Sequence, residues 1–241
     1  MSLERVTART ADGPMTVHVA VPDARDKRAA VVVVQEAFGV NAHVKDVCAR
    51  FAAEGYVALA PEIFHRQGDG VEVPYTDVPR AMQELGRLSN ATLERDLSAA
   101  LDVARARDDV DRDRVGLVGF CVGGFAAFLG ACRLDPAATV AFYGGGIVRP
   151  RPNMALEPLL PEVANIRAPI LCLFGAEDQG IPPADVEAIR AGLDTLDVAH
   201  EVIVYPGAPH AFFNELRQAY RPEAAAAAWH RTVRWLRTHV A

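Results

Sequence analysis

Apolar positions in this chain fall into two rhythms that take turns. Met15–Pro22 (MTVHVAVP) alternates apolar and polar residues, the pattern of a half-exposed strand. Ala29–Val34 (AAVVVV) is an unbroken apolar, β-branched run, which suits a strand covered on both faces. Further strand-like runs are Tyr56–Ala60, Arg114–Val118, Thr139–Tyr143, Pro169–Phe174 and Glu201–Tyr205. Helical spacing fills the intervals. Asn41 can cap a helix that runs to about Glu54 and stops at Gly55. A stretch from Val78 to Leu88 follows, then a face made of Leu93, Leu97, Leu101 and Ala104. A helix runs from about Val122 to Leu134, and Val186, Ile189, Leu193 and Leu196 mark another after the Pro182-Pro183 entry. Trp229, Val233, Leu236 and Val240 share one side of a closing helix. This alternation predicts an α/β protein: a mostly parallel sheet, right-handed crossovers and helices on both faces. No repeat or low-complexity linker interrupts it, so residues 1–241 are expected to form a single domain.

The most apolar stretch, Val115–Cys132, carries no charge and just reaches the length of a membrane span. Five glycines interrupt it and charged residues flank it closely. A buried strand running into a buried helix accounts for the same residues, so no membrane partner is expected.

Composition adds bounds. The chain has 241 residues, long enough for a substantial core, with 51% hydrophobic and 23% charged residues. Net charge is −6, and no Lys/Arg-rich run recommends nucleic acid as a partner. The first ten residues, MSLERVTART, have no apolar signal region. The four cysteines (Cys48, Cys121, Cys132, Cys172) show no pairing framework, which fits a reduced, cytoplasmic protein. No His/Cys pair has zinc-ligand spacing, so neither metal nor cofactor is expected. Oligomeric state is not legible.

Ligands of such sheets sit at the carboxyl ends of the strands. Four loops there carry polar or reactive groups: QEAFG after Val34, GFCVGG after Val118, GAEDQGIPP after Phe174 and PGAPHAFF after Tyr205. Gly119-Phe120-Cys121-Val122-Gly123 is a G-x-C-x-G turn between strand and helix, the form of a nucleophile elbow with cysteine in place of serine. The glycines relieve collisions around a residue forced into an unfavourable backbone conformation. The helix N-terminus favours negative charge on the sulfur. A nucleophile needs a base, and the base an orienting acid. His210 and Asp178 follow the last two strands in the order expected, with Glu177 a rival to Asp178. The backbone N–H groups of Ala37 and Val122 are the candidate oxyanion hole. Glu36 is the odd piece, since a carboxylate beside a thiol disfavours its ionised form. It could keep Cys121 protonated or accept its proton. Phe38 and Tyr143 follow strands and could line an apolar pocket, or simply pack in the core.

Two other functions are open to such a thiol: a peroxide-sensing redox protein, and a non-catalytic binding module on the same fold. The first leaves the histidine and the acid idle and shows no resolving cysteine. The second predicts a broken triad, whereas all three members are present.

Taken together, QEAFG, GFCVGG, GAEDQGIPP and PGAPHAFF, in this order, resemble the dienelactone hydrolase family of α/β-hydrolases over nearly the whole chain. The resemblance implies an α/β-hydrolase fold and a triad of Cys121, His210 and Asp178, with Glu36 beside the thiol. It implies hydrolysis of lactones and activated esters, a small-molecule substrate and no metal. It also implies arginines that hold a substrate carboxylate. One such position is Asn214 here; the other corresponds to Arg80, with Arg87 as competitor.

Overall fold

In the computed structural model, which describes residues 2–23 and 26–240, eight strands form one sheet in the order β1-β2-β4-β3-β5-β6-β7-β8. They are β1 (Ser2–Thr10), β2 (Gly13–Val21), β3 (Arg28–Val34), β4 (Val57–Pro61), β5 (Val110–Phe120), β6 (Thr139–Phe142), β7 (Ile170–Gly175) and β8 (His200–Tyr205). The helices are α1 (Ala42–Ala53), α2 (Val78–Leu85), α3 (Asn90–Arg105), α4 (Val122–Arg133), α5 (Pro183–Leu193) and α6 (Pro222–His239), with a short 3-10 turn at Leu160–Asn165. From β4 to β8 every pairing is parallel; β1 and β2 join antiparallel at one edge.

The pattern of the chain explains most of these elements. Val31–Val34 are completely buried in β3, between β4 and β5. Full burial of each valine contributes about 1.5–3 kcal/mol, so this run anchors the middle of the sheet. Asn41 caps α1 as expected, its side chain accepting from the Val44 N–H at 3.3 Å. The Val115–Cys132 run divides into the end of β5 and all of α4, and among the described residues no helix is long and apolar enough to cross a membrane.

Neighbouring residues of one strand show that the sheet is covered on both sides. Gly116 faces Leu236 and Val240 at the end of α6, whereas the Leu117 side chain meets Gly130 of α4. Successive residues point to opposite faces, so α4 and α6 lie on opposite sides. α1 joins α6, with Phe51 and Trp229 rings 4.6 Å apart; α3 packs on α4.

One strand lies outside the sequence expectation. β1 is an edge strand, joined to β2 by a hairpin in which Thr10 pairs with Gly13. Its sequence mixes apolar and charged residues because one edge has no partner strand, so the hydrophobic signal is weak. The Asp12-Gly13 turn, with Gly13 at φ +119°, is the local mark of that hairpin.

Candidate active site

The end of β5 delivers Cys121 to the mouth of the sheet in a strained conformation, φ 57° and ψ −115°, at the N-cap of α4. A non-glycine residue at positive φ costs on the order of 1–3 kcal/mol and persists where its surroundings enforce it. Here they do. A Cβ on Gly119 would lie 1.8 Å from the Gly123 carbonyl oxygen, and one on Gly123 would lie 2.3 Å from that of Val34. The turn is therefore too tight for side chains at either position. The Cys121 N–H donates to the Phe142 carbonyl at 3.1 Å and fixes the turn against β6.

The loops after β7 and β8 bring the other two groups. His210 Nδ1 lies 2.6 Å from Oδ2 of Asp178, which is buried, while neighbouring Glu177 is exposed. Asp178 Oδ1 accepts from the Gly180 N–H at 2.9 Å, so both its oxygens are held. Burial alone lowers the basicity of the imidazole. The charge of the Cys121 sulfur and the bond to Asp178 outweigh it and carry His210 up to about 10. The imidazole thus favours its protonated form.

Cys121, Val122, His210, Ala37 and Phe38 line one cleft of about 250 Å³. Ala37 and Val122 are nearly inaccessible, and neither backbone N–H has an acceptor among the described residues. Two buried donors on one cleft with the sulfur suit a developing oxyanion.

Glu36 lies behind this surface, 3% exposed, where it accepts from the Tyr143 hydroxyl at 3.2 Å and from Asn214 Nδ2 at 2.7 Å. Asn214 Nδ2 also donates to the Tyr75 hydroxyl at 3.0 Å. Burial, then the charges of Glu36 and Cys121, push the Tyr143 phenol well above its ordinary range, so it stays a donor. Tyr143 does not line the cleft. It is fully buried with φ 36°, and its ring packs edge-on at 5.0 Å against that of His210. Its strained backbone directs the ring under the histidine, which makes it a support.

Arg80 is likewise absent from the cleft. Val78, Met82 and Leu85 line it from α2, at spacings of four and three residues. Arg80, two residues after Val78, is turned about 200° from it around the helix, where its guanidinium approaches Glu84 at 3.9 Å. Arg87 pairs with the same carboxylate at 3.5 Å. The charge in the cleft comes instead from Arg151 and Arg217, which sequence reasoning missed. Arg217 stacks over Phe38 at 5.2 Å and Tyr75 at 5.8 Å. Arg151 packs where side chains are lacking: a Cβ on Gly145 or Gly180 would fall 2.3 or 3.1 Å from its guanidinium nitrogens. Among the described residues neither arginine is paired with a carboxylate. The only signal in the chain was position. Arg217 comes three residues after Asn214, and Arg151 lies in a loop without periodicity.

Comparison with known proteins bears on this arrangement. Residues 15–240 match the sequence model of the dienelactone hydrolase family. A Synechocystis sp. protein named "Putative carboxymethylenebutenolidase" is 40% identical over 227 residues, 92% of this chain and 91% of that protein. A Bradyrhizobium sp. protein named "Probable 2-oxo-3-(5-oxofuran-2-ylidene)propanoate lactonase" is 31% identical over 223 residues, 92% of this chain and 89% of its own. Among solved structures, that of a "Putative Dienelactone Hydrolase" from Klebsiella pneumoniae superposes with a TM-score of 0.89 at 34% identity, covering 98% of each chain.

Proposed function

The chain belongs to the dienelactone hydrolase family, and from that premise we propose that it is a cysteine-dependent hydrolase of lactones and activated esters, with Cys121, His210 and Asp178 as its triad. The observation that carries this reading is the 2.6 Å bond between His210 and Asp178, on the same cleft as a cysteine held at positive φ.

In this mechanism the Cys121 sulfur attacks the substrate carbonyl carbon and its proton resides on His210. The carbonyl oxygen becomes an oxyanion held by the Ala37 and Val122 N–H groups, each worth about 3–4 kcal/mol of transition-state stabilisation. The tetrahedral adduct collapses to a thioester, and the leaving alkoxide or enolate takes the proton from imidazolium. Water then gives a proton to His210 as its oxygen attacks the thioester. The second adduct expels the sulfur and releases the carboxylic acid. Asp178 keeps the ring in the required tautomer. Glu36, held by the Tyr143 and Asn214 donors, works against the ionised sulfur, while His210 works for it.

Arg151 and Arg217 suit a substrate carboxylate, and their charge compensates for the asparagine at 214. The Bradyrhizobium relative's name describes a lactone bearing an oxo acid, a compound of that kind. A reduced, cytoplasmic setting suits the thiol.

The test is direct. Acid-quenched turnover of p-nitrophenyl acetate should leave one acetyl group on the peptide containing Cys121. Cys121→Ala should lower kcat/KM on the order of 10⁴-fold. Full activity in that variant, or acetyl found elsewhere, overturns the mechanism.

A further inference from the structure

The apolar wall of the cleft has more extent than a small lactone ring needs. Val78, Met82 and Leu85 form one stripe on α2 facing the cleft. Accessibility rises along it toward the N-terminus of the helix: Leu85 is 3% exposed, Met82 46% and Val78 48%. Exposed large apolar side chains are rare in the described residues, being Val78, Met82, Val204 and Leu216, so two of the four stand on this one rim. Pro152 and Met154 complete the wall, and Phe38 lies on the same cleft as Cys121. An exposed apolar strip continuous with a reactive centre marks a ligand surface. Such exposure is costly to leave in water unless something covers it in use.

The helix itself is held in place by other residues. Ala81 is completely buried, Asp77 accepts from the Arg80 N–H at 3.2 Å, and Glu84 is flanked by Arg80 and Arg87. Packing and capping are therefore satisfied without Val78 and Met82, which are left free to meet a ligand.

We propose that the cleft takes an amphiphilic substrate: a lactone or ester whose reactive carbonyl meets Cys121 and whose aliphatic chain lies along the Leu85–Met82–Val78 stripe. From Val78 to Leu85 the helix rises about 10 Å, the reach of a chain of roughly six to eight carbons. The inference rests on the hydrolase reading above and adds the class of substituent. Each methylene laid on a half-covered wall raises kcat/KM about twofold, half the roughly fourfold gain of full burial.

The experiment uses the full chain and p-nitrophenyl acetate, butyrate, hexanoate and octanoate. The expected profile rises about tenfold or more in kcat/KM from acetate to hexanoate and levels off as the chain outgrows the stripe. Met82→Glu should lower the hexanoate-to-acetate ratio about tenfold, and Met82→Leu should keep it. Val204→Glu, an exposed apolar site on β8 outside the cleft, should also keep the ratio. Thermal melts confirm that each variant is folded. A flat chain-length profile overturns the proposal, as does a ratio in Met82→Glu equal to that of the parent. Dependence of acetate hydrolysis on Cys121 is read separately, so the hydrolase reading and this one fail by different results.

Discussion

The two ends of α4 each carry a cysteine near them, and the two thiols live in opposite worlds. Cys121, at the N-terminal end, is half-exposed on a cleft and shares it with His210. Cys132, eleven residues on, is 5% exposed in the hydrophobic core, and burial, then the charge of Glu162, pushes its thiol up to about 12. The helix dipole works with the first and against the second, since its positive end lies at the N-terminus. At the C-terminal end Arg133 is already engaged, bonded to Glu162 at 2.6 and 2.7 Å and to Glu94 at 2.9 Å. One element and one functional group therefore give an inert core residue and a candidate nucleophile. The difference lies in access, in the neighbouring imidazole and in the direction of the helix.

That contrast can be broken or sharpened by measurement. The largest effect concerns alkylation. At pH 8 a thiol titrating at about 12 is ionised in about one molecule in 10⁴. Iodoacetamide should therefore label Cys121 at least about 10³-fold faster than Cys132 in the native protein. In guanidinium the rates should converge; comparable native rates, read by peptide mass spectrometry, would remove the contrast.

A smaller effect concerns the histidine. The charge of the Cys121 sulfur is the foremost influence raising His210 toward 10, against the lowering by burial. Deleting the sulfur in Cys121→Ala leaves burial less opposed, so the imidazole should release its proton at lower pH, by about one unit or more. Cys132→Ala should leave that titration in place. Imidazole proton NMR shifts against pH decide it, and an unmoved titration in Cys121→Ala would separate the two groups.

The smallest effect concerns Glu36. Glu36→Gln removes the buried carboxylate while leaving an oxygen for Tyr143 or Asn214 to donate to. Alkylation of Cys121 should speed up a few-fold, and Cys132 should not respond. A slower or unchanged rate at Cys121 would show that the carboxylate does not restrain the thiol.

Much of the site was legible in the chain because its constraints are local. A G-x-C-x-G turn between a strand and a helix is dictated by collisions within five residues, and the Gly119 and Gly123 contacts are those collisions. His210 and Asp178 were legible because loops after parallel strands open at one end of the sheet. Asp178 was the expected acid with Glu177 as its rival, and in the fold it is Asp178 that turns onto His210 while Glu177 is exposed. β1 was missed because an edge strand carries a weak hydrophobic rhythm.

What the sequence determined by itself was the alternation of strands and helices, the parallel sheet, the elbow and the order of the reactive groups. Each follows from periodicity or from steric limits over a few residues. The tertiary structure alone decided that Arg151 and Arg217 replace Arg80 in the cleft, that Asn214 and Tyr143 hold Glu36, and that Val78 and Met82 form an open apolar rim. Those contacts join segments far apart in the chain, through loops such as residues 144–159 that have no periodicity to read. Their partners are selected by the path of the folded backbone, which no local pattern encodes.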